Sequence, residues 1–200
     1  MQLLLATGNQ KKRAEFERMF APLGVELLPP RALPGTVEDA PTFAGNAAKK
    51  AREAAEAFGV WTLADDSGLE VDALNGAPGV HSARYAGTHG DDAANNAKLL
   101  SELADVPDAR RGARFVCALC LCRPDGTVAL EVEGYASGAI AHAERGEHDF
   151  GYDPLFTFTE PGFDVTGKRF AELRPDEKAA VSHRGRALAA LAARLDGVQD

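Results

Sequence analysis

Residues 2–13 give the clearest indication of the fold, with the sequence Gln2-Leu3-Leu4-Leu5-Ala6-Thr7-Gly8-Asn9-Gln10-Lys11-Lys12-Arg13. The first five of these residues form a short apolar run, and Thr7-Gly8-Asn9 follows it. Beyond that turn, Phe16, Phe20 and Leu23 recur at the spacing of one helix face. The stretch therefore predicts a strand, a tight turn and a helix.

The rest of the chain continues this alternation of apolar runs and helical periodicity. The predicted strands lie near residues 25–28, 60–64, 113–122, 128–134 and 155–158. The predicted helices lie near residues 42–58 and 91–103, and two more begin near residues 176 and 185. Arg123-Pro124-Asp125-Gly126 predicts a hairpin turn, and residues 65–68 are expected in a loop after the third strand.

Composition indicates one globular domain over residues 1–200. The chain is 45% hydrophobic and 26% charged, which is ordinary for a folded protein, and we find no internal repeat. Its formal net charge of −8 opposes binding to a nucleic-acid polymer or an anionic membrane, and no apolar stretch approaches membrane-spanning length. Three cysteines fall in the apolar run 115–122, where we expect core positions, and this usage favours a cytoplasmic protein.

A basic segment follows the first predicted turn. Lys11, Lys12 and Arg13 fall in the first turn of the expected helix, where positive charge opposes the helix dipole. An anion would relieve this repulsion, and Gly8 would let it approach free backbone N–H groups. The segment indicates a phosphate site, with a solvated basic helix end as the alternative.

Paired carboxylates follow the third predicted strand in the sequence Asp65-Asp66-Ser67-Gly68. Carboxylates at such a position suit a hard cation such as Mg²⁺, or a base that removes a proton from water. An Asx turn or helix cap is the alternative. Another acidic pair, Glu38-Asp39, precedes a helix on which Asn46 and Lys50 share one face and could serve one ligand. A solvated loop and a lysine that extends to solvent are the alternative.

A further group of residues combines aromatic rings with hydrogen-bonding side chains. It comprises Phe150-Gly151-Tyr152-Asp153, Lys178 and Ser182-His183-Arg184. Aromatic faces can stack on a nucleobase while charged side chains hydrogen-bond its edge. The combination indicates a nucleobase pocket, although packing or helix capping would explain each residue alone.

Taken in order, these motifs resemble one family over nearly the whole chain, the inosine/xanthosine triphosphate pyrophosphatases. The matching segments are Thr7-Gly8-Asn9 with Lys12, Thr42-Phe43 with Asn46 and Lys50, residues 64–69, Ser82-Ala83-Arg84-Tyr85, residues 150–154, and residues 182–184. The resemblance implies an α/β fold in which an elongated central mixed β-sheet is flanked by helices in two lobes, with an active-site cleft between them, as a homodimer. It also implies Mg²⁺-dependent cleavage of ITP, dITP and XTP to the nucleoside monophosphate and pyrophosphate.

The resemblance also implies roles for individual residues. The triphosphate would be held by Thr7, Gly8, Asn9, Gln10, Lys11, Lys12 and Lys50. Asp66 would be the general base and a metal ligand, Glu38 the other metal ligand, and Ser67 a substrate contact. The base pocket would comprise Phe150, Gly151, Tyr152, Asp153, Lys178, His183 and Arg184.

One position departs from the family pattern, because Gly45 stands where these proteins commonly carry a glutamate just before the asparagine. The number of carboxylates near a metal is therefore open, and Glu38 or Asp39 would carry more of that role. Two alternatives are a related Maf-like pyrophosphatase acting on modified or pyrimidine nucleotides and a non-catalytic nucleotide-binding module. In each case the expected ligand is a small free nucleotide.

Overall fold

The computed structural model describes residues 2–147 and 150–198, which contain both strands and helices. Its strands are β1 (Gln2–Leu5), β2 (Glu26–Leu27), β3 (Thr62–Val71), β4 (Gly112–Cys122), β5 (Val128–Ile140) and β6 (Phe156–Phe158). Its α-helices are α1 (Gln10–Phe20), α2 (Phe43–Phe58), α3 (Asp92–Glu102), α4 (Pro175–Val181) and α5 (His183–Leu195). Among the described residues, no helix has the length and apolarity to cross a membrane.

The six strands form one mixed sheet in the order β2-β1-β3-β4-β5-β6. β1 pairs in parallel with β2 and with β3, where Leu4 lies opposite Thr62. β5 pairs antiparallel with β6, where Gly138 lies opposite Phe158. The predicted α/β class with a mixed sheet and flanking helices is therefore confirmed, whereas the cleft between two lobes stays a prediction.

The described residues group into two compact units. The expectation of one domain over residues 1–200 stays a prediction. The first unit contains residues 2–66, 117–134 and 184–198. Its buried core combines β1, α1, β4 and α5 side chains, including Leu5, Phe16, Cys117 and Leu191. Thr42 caps α2 by accepting a hydrogen bond from the Gly45 backbone N–H, as the sequence predicts.

The second unit contains residues 67–116 and 135–183. Its core is rich in aromatic rings, and the Phe115 ring lies 4.6 Å from that of Phe156 between centroids. The Arg111 side chain is buried and donates hydrogen bonds to the carbonyl oxygens of Leu103, Ile140 and Ala141. These bonds compensate a guanidinium that would otherwise be costly to bury.

The main error of the sequence prediction concerns where two strands end. β3 continues to Val71, so Asp65 and Asp66 lie within a buried strand rather than in a loop after it. Burial is possible because neighbouring cations and an amide accompany these carboxylates, as described below. β5 likewise extends to Ile140, beyond the predicted end at residue 134.

The placement of the cysteines is confirmed. Cys117, Cys120 and Cys122 are free thiols and all three are buried. The Sγ atoms of Cys120 and Cys122 lie 3.8 Å apart, as expected for alternate residues of one strand. Burial raises the pKa of the Cys117 thiol to about 12, with the Asp65 charge adding to the effect. Cys117 is therefore protonated and unreactive near neutral pH.

The pairing of β5 with β6 allows a test through Gly138. A Cβ atom at this position would press against the Thr157 carbonyl oxygen and lie 2.5 Å from the Phe156 ring. We expect Gly138→Ala to lower the free energy of unfolding by about 1–3 kcal/mol, measured by urea denaturation. Gly35→Ala is the control, because nothing lies within 4 Å of the added atom there. Equal stability of the two variants would contradict the close packing.

Candidate active site

The turn between β1 and α1 is the predicted phosphate segment. Asn9 caps α1 by accepting a hydrogen bond from the Lys12 backbone N–H at 3.1 Å, and the Thr7 hydroxyl accepts one from the Asn9 N–H at 3.2 Å. Residues 8–11 are exposed, and a Cβ atom on Gly8 would meet nothing within 4 Å. The strand, turn and helix are confirmed, and the first turn of α1 carries no acidic side chain. The roles of Thr7, Gly8, Asn9, Gln10, Lys11 and Lys12 in binding phosphate stay predictions.

Asp65 holds two cations from different helices. Its Oδ2 atom lies 2.8 Å from Lys12 Nζ and 3.9 Å from Arg184 Nη2. Burial alone would raise the pKa of this carboxyl, but the charges of Lys12, Arg184 and Lys50 outweigh burial and lower the pKa well below its ordinary value. Asp65 is therefore ionised in the folded protein and fixes the direction of the Lys12 side chain.

The pKa of Asp66 shifts in the opposite direction from that of Asp65. Asn46 Nδ2 donates to its Oδ2 atom at 3.1 Å, and Lys50 Nζ lies 3.3 Å from its Oδ1 atom. Burial raises the pKa of the Asp66 carboxyl, and the charges of Lys50 and Lys12 only partly oppose the increase. A carboxylate with a raised pKa is a stronger base than an exposed one.

Lys50 connects this aspartate to the loop that precedes α2. Its Nζ atom lies 3.4 Å from Glu38 Oε1 as well as 3.3 Å from Asp66 Oδ1. Burial tends to lower the pKa of Lys50, but the charges of Asp66, Asp65 and Glu38 raise it overall. The expectation that Asn46 and Lys50 point together is confirmed, and both contact Asp66. Asp39 instead pairs with Lys49 at 2.8 Å on the surface.

Glu38 and Asp66 are also the residues expected to bind Mg²⁺. Within residues 2–147 and 150–198, no cluster of three or more His, Cys, Asp or Glu side chains could hold a metal ion. Mg²⁺ is commonly bound by one or two carboxylates together with substrate phosphates, rather than by a complete protein cage. Two carboxylates that contact the same lysine, Lys50, fit that mode of binding.

The structure gives a steric reason for Gly45. A Cβ atom at this position would lie 2.8 Å from Ala40 Cβ and 3.1 Å from Thr42 Oγ1. A glutamate could not occupy position 45 unless the segment before α2 moved. Gly45 therefore fits the close approach of Ala40 and Thr42 at the start of α2.

The second unit carries the predicted nucleobase cluster. Lys178 Nζ lies 2.6 Å from Asp153 Oδ2 and 5.3 Å from the centroid of the Phe150 ring. The Tyr152 hydroxyl donates to the Ser82 carbonyl oxygen at 2.8 Å, and burial raises the pKa of this phenol. Tyr152 is thus buried as an anchor, while Lys178, Asp153 and Phe150 lie together as predicted.

The adjacent residues His183 and Arg184 have different surroundings. The His183 ring is buried and stacks on Phe115, with 4.7 Å between ring centroids. Arg184 belongs to the first unit, where it pairs with Glu15 and with Asp65. Their predicted part in the base pocket stays a prediction, as does the substrate contact of the half-buried Ser67. Glu15 was missed by the sequence analysis, although it lies three residues after Lys12 on α1.

The six-stranded mixed sheet with its flanking helices defines an α/β protein. The model of the Ham1 family matches residues 3–194, and the chain belongs to this family.

Several relatives match nearly the full length. A dITP/XTP pyrophosphatase of Rhodopirellula baltica is 53% identical over 189 residues, which cover 93% of this chain and 88% of the relative. One from Exiguobacterium sibiricum is 51% identical, covering 98% of this chain and 97% of the relative. Among solved structures, a HAM1 protein from Coxiella burnetii has a TM-score of 0.86 at 39% identity, covering 98% of this chain and 99% of that one. The dITP/XTP pyrophosphatase of Mycobacterium abscessus has a TM-score of 0.70 at 49% identity, covering 96% and 98%.

The ion pairs of Asp65 predict a large and pH-dependent contribution to stability. Asp65→Asn would leave Lys12 and Arg184 without their buried countercharge, so we expect the free energy of unfolding near pH 7 to fall by about 3 kcal/mol. Because the folded state lowers the pKa of Asp65, its contribution is complete above the unfolded pKa and is lost as the pH falls through the folded pKa. The difference in the free energy of unfolding between wild type and Asp65→Asn should therefore shrink below about pH 4, measured by urea denaturation.

The control for this prediction is Asp105→Asn, which alters an exposed aspartate. It should leave the stability nearly unchanged. A difference between wild type and Asp65→Asn that stays constant from neutral to acid pH would contradict the ion-pair explanation.

Proposed function

We propose that this chain hydrolyses non-canonical purine nucleoside triphosphates, namely ITP, dITP and XTP, to the nucleoside monophosphate and pyrophosphate. The observation that carries the proposal is the buried Asp66 carboxylate, held by Lys50 and Asn46 in a chain about half identical to dITP/XTP pyrophosphatases. Removing such nucleotides from the free pool would be the role of this activity.

Asp66 acts as the general base in this proposal. Burial raises the pKa of the Asp66 carboxyl above its ordinary value, which makes the carboxylate a stronger base toward a proton of water. Asn46 directs the carboxylate by donating to Oδ2, and its own Oδ1 atom accepts from the Ala40 N–H at 3.0 Å. Because both ends of the Asn46 amide are hydrogen-bonded, the Asp66 carboxylate is already oriented before the reaction.

Lys12 and Lys50 provide positive charge for the triphosphate. Each lysine is held in place by a buried aspartate, at 2.8 Å for Lys12 and 3.3 Å for Lys50. Positive charge fixed before substrate arrives stabilises the charge that develops on the departing pyrophosphate. The N-terminus of α1, whose first turn carries no acidic side chain, would add a favourable helix dipole for the phosphates.

We also propose that Glu38 and Asp66 hold Mg²⁺ together with the substrate. When bound, Mg²⁺ would neutralise phosphate charge and polarise the phosphorus–oxygen bonds. Both carboxylates contact Lys50, Glu38 at 3.4 Å and Asp66 at 3.3 Å, which supports their acting at one site.

Lys178 and Asp153 supply the selectivity for the base in this proposal. A 6-keto purine presents an acceptor at O6 beside a donor at N1, which complements the Lys178 ammonium and the Asp153 carboxylate. Adenine presents a donor and then an acceptor, so both groups would be mismatched and ATP would bind poorly. Phe150, 5.3 Å from Lys178, would stack on the ring.

The homodimer and the cytoplasmic location are further proposals. The three free, buried thiols of β4 support a reducing compartment. Sedimentation of the purified protein would measure the oligomeric state.

The test of this function is the product released from a panel of ITP, XTP, dITP, GTP and ATP, with Mg²⁺ and with chelator. We expect rapid release of pyrophosphate from ITP, XTP and dITP, little from ATP or GTP, and loss of turnover with chelator. Asp66→Asn should lower kcat by about a thousandfold because the base is removed, while nucleotide binding persists. Asp125→Asn, in the exposed turn after β4, is the matched control.

Other outcomes would point to other functions. Release of phosphate, or equal use of ATP, would contradict the proposed chemistry or the proposed base selectivity. Preference for modified pyrimidine nucleotides would indicate a Maf-like enzyme, and tight ITP binding without pyrophosphate release would indicate a non-catalytic module.

A second prediction addresses the base. Lys178→Met removes the donor facing O6 but keeps the length of the side chain, so kcat/KM for ITP should fall about 10- to 100-fold. The value for ATP should change much less, since ATP gains nothing from this donor. The exposed Lys168 provides the control variant Lys168→Met. A parallel loss for ITP and ATP would contradict the assignment of Lys178 to the base.

A further inference from the structure

Two side chains of α3 hold one glycine of the nucleobase cluster. Asp92 Oδ2 accepts a hydrogen bond from the Gly151 N–H at 2.9 Å, and Asn96 Nδ2 donates to the Gly151 carbonyl oxygen at 3.1 Å. Asp92 and Asn96 are four residues apart, so they lie on the same face of α3. Together they satisfy both backbone polar groups of Gly151.

The backbone conformation of Gly151 determines the direction of the residues on either side of it. Its φ of +57° is in the left-handed region, which an L-residue with a side chain rarely adopts. The residues on either side have different tasks, because Phe150 lies beside Lys178 and the Tyr152 hydroxyl is anchored to Ser82. A rotation of the Gly151 peptide would therefore move the Phe150 ring relative to the Lys178–Asp153 pair.

α3 is itself fixed by two neighbouring residues that do not contact Gly151 in the described hydrogen bonds. Asp91 caps the helix by accepting from the Ala94 N–H at 3.0 Å. Asn95 is buried and accepts from the Ala86 N–H at 2.7 Å. Asp91 and Asn95 therefore hold α3, whereas their neighbours Asp92 and Asn96 bind Gly151.

We propose that Asp92 and Asn96 are positioning residues for purine selectivity, acting through the Gly151 peptide on Phe150 and Asp153. The inference rests on the proposed function of the Lys178 cluster. Neither side chain needs to touch substrate, and neither lies in the cluster around Asp66. Their removal should impair recognition of the base while leaving the chemistry of the phosphates largely intact.

The experiment compares Asp92→Ala and Asn96→Ala with the matched controls Asp91→Ala and Asn95→Ala. For each protein, kcat and KM are measured for ITP and ATP, and thermal unfolding is recorded. We expect KM for ITP to rise about tenfold in both test variants, with kcat within about threefold of wild type. The ratio of kcat/KM for ITP to that for ATP should fall by about the same tenfold.

The controls separate positioning from loss of stability. Asp91→Ala and Asn95→Ala remove a bond of the same helix, so they should lower the unfolding temperature but retain the ITP to ATP ratio. Asp92→Asn keeps an oxygen that can accept from the Gly151 N–H, so it should restore most of the selectivity. If Asn96→Ala fails to fold, the Asp92 pair of variants still decides the question.

Each result has a definite meaning. Selectivity that falls only in the two test variants and returns in Asp92→Asn supports the positioning role. Normal wild-type turnover of ITP with equal ratios in test and control variants would overturn this inference and leave the proposed function standing. Failure of the wild-type protein to release pyrophosphate from ITP would instead overturn the proposed function, and the inference with it.

Discussion

The structure of the candidate site depends on burying two adjacent carboxylates, Asp65 and Asp66, within strand β3. A buried carboxylate without partners would be far too costly, so neighbouring elements must bring cations or hydrogen-bond donors to it. Lys12 comes from α1, Arg184 from α5, and Lys50 with Asn46 from α2. The positions of these three helices against β3 are thereby linked by electrostatics as well as by apolar packing.

Strand geometry explains how neighbours can differ in role. Successive side chains of a strand point in opposite directions, so each carboxylate meets its own set of partners. Asp65 lies against Lys12 and Arg184, and its pKa is lowered, because those charges outweigh burial. At Asp66 the charges of Lys50 and Lys12 do not outweigh burial, so the pKa is raised. One aspartate therefore organises the cations of the site, and the other is suited to accept a proton.

The sequence predicted the elements of the site better than their boundaries. Helix α2 followed from its cap at Thr42, its apolar face and Gly59, since all of these signals are local. The end of β3 was missed because two charged residues normally indicate a loop, and their buried partners come from distant parts of the chain. Strand β5 was ended too early because small residues such as Ala136 and Gly138 carry little periodic signal. The hydrogen bonds of Asp92 and Asn96 to Gly151 were not predicted, because they join positions 59 and 55 residues apart in the sequence.

The most direct test of this account is a carboxyl ¹³C NMR titration of Asp65 and Asp66 in the wild-type protein, with resonances assigned from the two Asp→Asn variants. We expect Asp66 to titrate above the ordinary aspartate value of 3.8 and Asp65 below it. Observation of the reverse order, or of two carboxylates with the same midpoint, would contradict the division of roles on which the proposed mechanism rests.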